Sequence, residues 1–465
     1  MRIPSRADSC PPGVVVVGGG PAGAGLLLAA RGAGLLDTLL ALPVTVIERG
    51  SVVGAGELGG HAINSDSHAE SFFRAIEAAG EPPLSFALEA PAGQEVLRRR
   101  GAPVALSAAA TFLAGACDEL RGSLAASGRD PFLTGFEAVS ARRTTRGDGW
   151  RVRCRAVSGR AYTGELELEA AALVLATGAH QPPERLRREV VARAPLLPRF
   201  AGKVVQSSEL LSPVGAAAAV ERLAGRASPK VAIVGGSHSA VACARLLLDA
   251  APSLCFGEGG VSILHRRPLR LTYASEATAL DDGYTDFGPA DVCARTGRVF
   301  PLAGFRSEAR DLLRRAWGLG GSGPEPRLRL HCLGQEPDSE AERILRDADL
   351  VVAAFGYRPR ALPLFDAAGG RIALHTDTSA AAPLVDGRSR VLAADGTPVN
   401  GVFGIGLAAG YPLRGTHGEE SFEGQANGLS LWHGEVGAAI VRDLLAAARP
   451  GRGAAERAEP AVEHA

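Results

Sequence analysis

KVAIVGGSHSAVACARLLLD, residues 230–249, reads as a strand, a tight glycine turn and an apolar helix. It is the second such unit in the chain. VVVVGGGPAGAGLLLAARGAG, residues 14–34, is the first: a buried-strand run of four valines, then glycines, then a helical apolar pattern. Each unit leads to another strand, VTVIER at 44–49 and VSILHRR at 261–267, so each begins a βαβ fold. The two glycine turns differ. The first is intact, whereas the second, GGSHSA at 235–240, has been edited.

The intact turn, Gly18-x-Gly20-x-x-Gly23, supplies a tight bend, bare backbone for a pyrophosphate and close helix–strand packing. Pro21 and Ala22 open the helix, whose N-terminus faces the phosphates with a partial positive charge. Glu48 ends the next strand, beside Arg49, and can accept both ribose hydroxyl protons. The second copy keeps Gly235 and Gly236 but has Ser237 and Ala240 at the second and third glycine positions, with His238 and Ser239 between them. Alanine at the third position is tolerated by the fingerprint. Ser237 and His238 add side-chain donors where glycine offers only backbone, which predicts a longer hold on the nucleotide. Where the first copy has Glu48, the second has His265-Arg266-Arg267. An acid there would repel a 2′-phosphate, and guanidinium groups bind one bidentately. The second fold is therefore expected to take NADPH. An acidic and a basic dinucleotide fold in one chain imply electron transfer from NADPH to a bound flavin, FAD.

Between the two copies, residues 143–170 alternate polar and apolar about turns at Gly147-Asp148-Gly149 and Ser158-Gly159, as in a small antiparallel meander. ALVLATGAHQPP (172–183) is a buried strand ending at Thr177-Gly178. DLVVAAFGYRPR (349–360) closes the second unit. NGVFGIGLAAGY (400–411) is one more buried strand, with Gly406 near its end, and 424–448 reads as one long helix. The late strand 402–405 has no helical unit of its own, so it should return to the first sheet. The expected fold is α/β: two Rossmann-like dinucleotide-binding domains, the NADP domain (204–362) inserted into the FAD domain (1–203 and 363–445), with a small antiparallel β-meander. Residues 446–465 are charged and rich in Pro, Gly and Ala, a composition expected to be disordered.

At 465 residues the chain is too long for one small core. Its 50 basic and 50 acidic residues cancel, which argues against a general nucleic-acid or membrane-surface binder. The seven cysteines form no CxxC pair and no metal-like cluster, so no metal is expected. Their scatter fits a reducing cytosol and weakens a disulfide-reductase reading. Residues 1–13 lack the apolar region of a signal peptide, and Arg31 and Asp37 interrupt the apolar stretch 22–42. A soluble, cytoplasmic protein is expected.

FAGKVVQS, residues 200–207, resembles the FxGxxxHS linker signature of class B flavin-dependent monooxygenases. LATGAHQPP resembles the first ATG turn of that family. LVVAAFGYRP resembles the ATGY turn, and GGSHSA the GGGQSA turn, of its N-hydroxylating branch. The resemblance implies FAD, NADPH and molecular oxygen. It also implies insertion of one oxygen atom into a small organic substrate through a C4a-(hydro)peroxyflavin, with N-hydroxylation of an amino acid or amine one form and attack on a ketone or thioether another. The signature histidine is Gln206 here, which hydrogen-bonds but cannot titrate; the aromatic four residues on is Leu210; the ATGY turn is Ala354-Phe355-Gly356-Tyr357. GELGGHAINSDSHAESFF (56–73) stands where the family places the loop covering the flavin ring, which brings in Gly59, Gly60, His61, Asn64 and Ser65. Asn64, Gln206 and His238 are the catalytic candidates, with His238 expected at the nucleotide phosphates. Residues 270–297 are a candidate substrate lid by position, and His417 and His433 read as packing residues. Two other readings stay open from the sequence: an FAD/NAD(P)H reductase or dehydrogenase with a non-oxygen acceptor, and a non-enzymatic redox-sensing or scaffold flavoprotein.

Overall fold

The computed structural model describes residues 13–157, 164–250, 253–321, 323–379, 382–407, 409, 418–422 and 428–447. The predicted turn at Ser158-Gly159, His417 and the tail beyond 447 lie outside the described residues.

β1 (Gly13–Val17) leads through Gly18–Gly20 into α1 (Pro21–Gly32), and β2 (Val44–Glu48) pairs in parallel with β1, Val14 opposite Val44. Proline suits the first helical position because its φ is already helical and the N–H it lacks would have had no partner. Arg31, deep in the apolar stretch 22–42, is 3% exposed, and its guanidinium donates to the carbonyls of Ala75, Ala78, Gly80 and Pro82. Its charge is thus satisfied by backbone and not by solvent.

β3 (Asn64–His68) and α2 (Leu106–Ala126) follow, and β4 (Phe132–Thr134) extends the sheet beyond β2. β5 (Phe136–Arg143), β6 (Trp150–Ala156) and β7 (Glu165–Leu175) form the predicted meander. β7 does two jobs. Residues 165–170 run antiparallel to β6, and Ala172–Leu175 run parallel to β1. Burial changes along it accordingly, from alternating in 165–169 to continuous in 172–175.

The second sheet contains β8 (Val204–Gln206), β9 (Val231–Val234), β10 (Val261–His265), β11 (Leu328–Cys332) and β12 (Leu350–Ala353), all parallel and ordered β8-β12-β9-β10-β11. α3 (His238–Asp249) connects β9 to β10, and α4 (Ser307–Trp317) precedes β11. Neither α4 nor β11 is among the elements expected from sequence.

The chain then returns. β13 (Leu364–Phe365) joins β5, and β14 (Pro398–Gly404) lies parallel to β7 with Val402 opposite Leu173. The second Rossmann-like sheet is therefore an insertion in the first, as the unpartnered late strand implied. Of the long helix expected over 424–448, residues 424–427 and 448 lie outside the described residues, and the rest is a short helical turn, Leu429–Trp432, followed by α5 (Glu435–Ala447). The break falls at His433-Gly434, where glycine weakens the helix.

β1 explains its four valines. Val14 and Val16 pack on the helical side with Leu27, Phe112 and Ile440, while Val15 and Val17 pack against Trp150, Val152 and Leu173 of the meander. Each buried valine contributes roughly 1.5–3 kcal/mol of transfer free energy. No helix among the described residues is long and apolar enough to cross a membrane.

Candidate functional site

The two sheets meet over one cleft of about 1840 Å³. Its walls are the first glycine turn, Glu48 and Arg49, the loop from Ala55 to Ser67, Thr177–Gln181, one face of α3, the start of α4, and Gly406.

The glycines of the first turn divide by cause. Gly18 has φ +106°, and a Cβ there would stand 2.3 Å from the Ala176 carbonyl oxygen. One on Gly23 would stand 1.8 Å from the Gly18 oxygen. Both are required by the fold. Gly20 is different: its nearest neighbour is Gly56 Cα at 3.3 Å, and it presents bare backbone to the cleft. Glu48 accepts from the Gly19 N–H at 2.9 Å (Oε2) and the Gly50 N–H at 2.7 Å (Oε1). Its carboxylate is thereby held at the end of β2 with lone pairs to spare. Thr177 Oγ1 is buried beside Gly178 with no hydrogen-bond partner among the described residues. Such a hydroxyl on a cleft wall suits a ligand rich in carbonyl and ring-nitrogen acceptors. Arg49 pairs with Glu57, and Glu57 also takes Arg360 at 3.0 Å. These residues fit a flavin dinucleotide: turn, acid, orphan hydroxyl and open backbone coincide.

The second turn repeats the first closely. Gly235 has φ +137°, and its Cβ would meet the Ala354 oxygen at 2.2 Å, as Gly18 would meet Ala176. A Cβ on Gly236 would lie 3.1 Å from His265 Cβ, as one on Gly19 would lie 2.8 Å from Glu48 Cβ. His265 thus occupies the place of Glu48, and Arg266 that of Arg49. Burial holds the His265 imidazole below its usual pKa, so it brings neither the negative charge of a Glu48 nor a positive charge of its own to a phosphate, and its Nδ1 lies 2.8 Å from the Arg267 carbonyl. Arg266 and Arg267 are exposed just past β10, with Arg266 also donating to the Val190 carbonyl. Ser237 caps α3 with its Oγ buried and unpartnered among the described residues, and Ala240 is buried in the first turn of that helix.

Gly60, His61, Asn64, Ser65 and Ser239 line the cleft. Asn64 Nδ2 donates to Glu308 Oε1 at 2.7 Å, and Glu308 pairs with Arg245. His238 departs from its expected role. Its Nε2 lies 3.1 Å from Asp66 Oδ1, and its ring packs on Phe305 at 4.6 Å. The side chain reaches across to β3, so the phosphate contact expected of it is not its geometry here. Gln206 also needs correction. It is absent from the cleft wall, where Gln181 stands instead, 8% exposed, donating to Ser207 Oγ at 2.7 Å and accepting from the Ser208 N–H. Residues 270–297 do not line the cleft either; the wall there is Arg306–Ala309, the start of α4. The amphipathic stretch SEARDLLRRAW, with an acid in its first turn, was the available signal for that helix. Tyr357, from the altered ATGY turn, lines the cleft, and burial pushes its phenol up, keeping it a donor.

His433 is the packing residue expected. Its Nε2–H donates to the Pro21 carbonyl at 2.8 Å, at the head of α1, and its ring fills the space left by Gly25. Burial lowers its pKa to about 4. The unfolded chain binds a proton near the ordinary 6.5, so stability is full above about pH 6.5 and falls as pH drops toward 4, by about 3 kcal/mol in all. Denaturant unfolding at pH 7 and 4.5 should show this loss, and His433→Gln should remove most of the slope across that window. An unchanged slope would mean that other groups carry it.

No family model matches the chain. A curated relative, the CMP-5′-(3-aminopropyl)phosphonate hydroxylase of Streptomyces rubellomurinus, is 32% identical over 450 residues, spanning 93% of this chain and 97% of the relative. Among solved structures, the ornithine N-hydroxylase of Kutzneria sp. 744 matches with a TM-score of 0.52 at 17% identity, covering 93% of this chain and 99% of its own. The cadaverine monooxygenase of Erwinia amylovora matches with a TM-score of 0.54 at 14% identity, covering 97% and 99%. At these identities the solved structures establish the fold.

Proposed function

The chain belongs to the class B flavin-dependent monooxygenases, and we propose that it hydroxylates the primary amine of a small anionic molecule at nitrogen. It is an NADPH-dependent flavin monooxygenase with FAD and NADPH as cofactors. The amine reading draws on the curated relative, named for an aminopropylphosphonate joined to CMP, and on neighbours named for ornithine and cadaverine. All three substrates are alkyl amines. The observation that carries the reading is the single cleft in which Gly20, Glu48 and Thr177 face one side of α3 and the start of α4.

The cleft supports the flavin assignments; the nucleotide assignments rest on the likeness of the second glycine turn to the first, since of residues 235–240 only His238 and Ser239 line the cleft and Arg266 and Arg267 do not. Residues 18–23, Glu48, Thr177 and Gly406 hold FAD; the turn 235–240 with Arg266 and Arg267, within a unit spanning 204–362, holds NADPH. When bound, the flavin supplies the redox chemistry that links NADPH, oxygen and the amine. The chain's own part is placement. The head of α1 and the bare Gly20 backbone receive the pyrophosphate, Glu48 takes the ribose hydroxyls, and the Thr177 hydroxyl donates to an acceptor on the ring. Arg49 and Arg360 stand on the cleft wall and share the carboxylate of Glu57, and their guanidinium groups suit a phosphonate or carboxylate.

The test is product analysis with 3-aminopropylphosphonate, its CMP conjugate and ornithine, each with NADPH and air. At least one should yield a hydroxylamine carrying one added oxygen atom, in step with NADPH consumed. NADPH oxidation that releases only hydrogen peroxide with every amine offered would overturn the amine reading.

A further inference from the structure

β3 belongs to the chain before the insertion, yet two of its side chains, Asn64 and Asp66, find partners inside the insertion. Asp66 Oδ1 lies 3.1 Å from His238 Nε2, and Asp66 Oδ2 lies 3.5 Å from Arg306 Nη1. Asn64, on the same face of the strand two residues earlier, donates to Glu308, which pairs with Arg245 of α3. Nearby, the Ala62 N–H donates to the Leu211 carbonyl at 2.7 Å. The strand is therefore tied at two adjacent points to the first turns of both α3 and α4.

We propose that Asp66 is a positioning residue for hydride transfer from NADPH, acting through His238 on the second glycine turn. His238 is the first residue of α3 and follows Ser237, the residue that ends that turn and caps the helix. The Ala240 N–H donates to the Ser237 carbonyl at 2.9 Å, so turn and first helical residue move as one piece. Phe305 holds the imidazole on its other side, with ring planes 42° apart. Asp66 thereby sets where the nucleotide turn sits relative to the cleft that Gly20, Glu48 and Thr177 line. Hydride transfer needs reacting atoms within roughly 3–3.5 Å, so a small displacement of this turn costs rate. A contact as exposed as this one, with side chains 35% and 39% accessible and no hydrogen bond from His238 Nε2 in its present geometry, contributes little to stability. Its loss should register in the placement of the nucleotide and not in melting.

The experiment compares FAD-loaded wild type with Asp66→Ala, His238→Ala, His238→Gln and the double alanine variant. Four quantities are measured: the limiting rate of anaerobic flavin reduction by NADPH, calorimetric affinity for NADP⁺, FAD content and melting temperature. Each single alanine variant should reduce its flavin roughly tenfold more slowly and bind NADP⁺ several-fold more weakly, the loss of one charge-assisted contact. FAD content and melting temperature should match wild type. The double variant should be no slower than either single one, because both changes cut the same link. His238→Gln keeps a donor for Asp66 and should recover most of the rate. Wild-type reduction and affinity in the alanine variants, or additive losses in the double variant, overturn the proposal. If Asp66→Ala fails to fold, His238→Ala decides alone, since its side chain is partly exposed; a wild-type rate in it refutes the role. None of these measurements uses an amine, so they stand or fall separately from the substrate reading.

Discussion

Gly20→Val should give a folded protein that purifies without FAD. The cleft side of Gly20 is open backbone, with only Gly56 Cα within 3.3 Å, so a branched side chain there occupies the space reserved for the pyrophosphate. The expected weakening is at least about a hundredfold, or ~2.7 kcal/mol, which leaves little flavin after dilution. Absorbance of the purified protein in the flavin bands, with circular dichroism for folding, checks it. Gly23→Val is the contrasting variant. Its Cβ would stand 1.8 Å from the Gly18 oxygen, and it should fail to fold rather than fold without colour. Full yellow colour in Gly20→Val would mean that this turn does not hold the cofactor.

The second large effect concerns the choice of nicotinamide nucleotide. Removing both guanidinium groups, with Arg266→Ser and Arg267→Ser together, should weaken NADPH by roughly one to two decades and leave NADH nearly unchanged. A lost charge-assisted bidentate contact amounts to about 1.5–3 kcal/mol. The structure adds a reason to make both changes. Arg266 already donates to the Val190 carbonyl, so Arg267 has the freer head, and the buried neutral His265 at the place of Glu48 offers no charge of its own. Steady-state KM values for the two nucleotides measure the effect. Equal weakening of both would show that these arginines do not read the 2′-phosphate.

Much of the architecture was legible because its signals are local. Four valines before a glycine turn specify a strand buried on both faces, and Val14 and Val15 do face opposite cores. The alternation in 165–169 gave way to a solid run in 172–175, and the strand changed partners at that point. The inserted topology followed from one unpartnered strand, and β14 indeed closes on β7. Where local patterns were weak, elements went unread: β11 and α4 lie in a long connection, and the helix over 424–448 broke at Gly434.

What the chain determined by itself is the pair of glycine turns and the strand-end residues beside them. Glycine is needed at Gly18 and Gly235 because their φ values and the carbonyls of Ala176 and Ala354 leave no room for a side chain. That is a property of each turn and the strand next to it. What only the tertiary structure decided is where the side chains of the cleft point. His238 and Asp66 are 172 positions apart, and Asn64 and Glu308 are 244 apart, so no spacing rule links them. Their meeting depends on how the inserted sheet docks on the first, which brings β3 against the starts of α3 and α4 and leaves Gln206 outside the cleft wall, where Gln181 stands. Docking of two separately closed cores is set by the shapes of their surfaces, and those come from residues scattered along the whole chain.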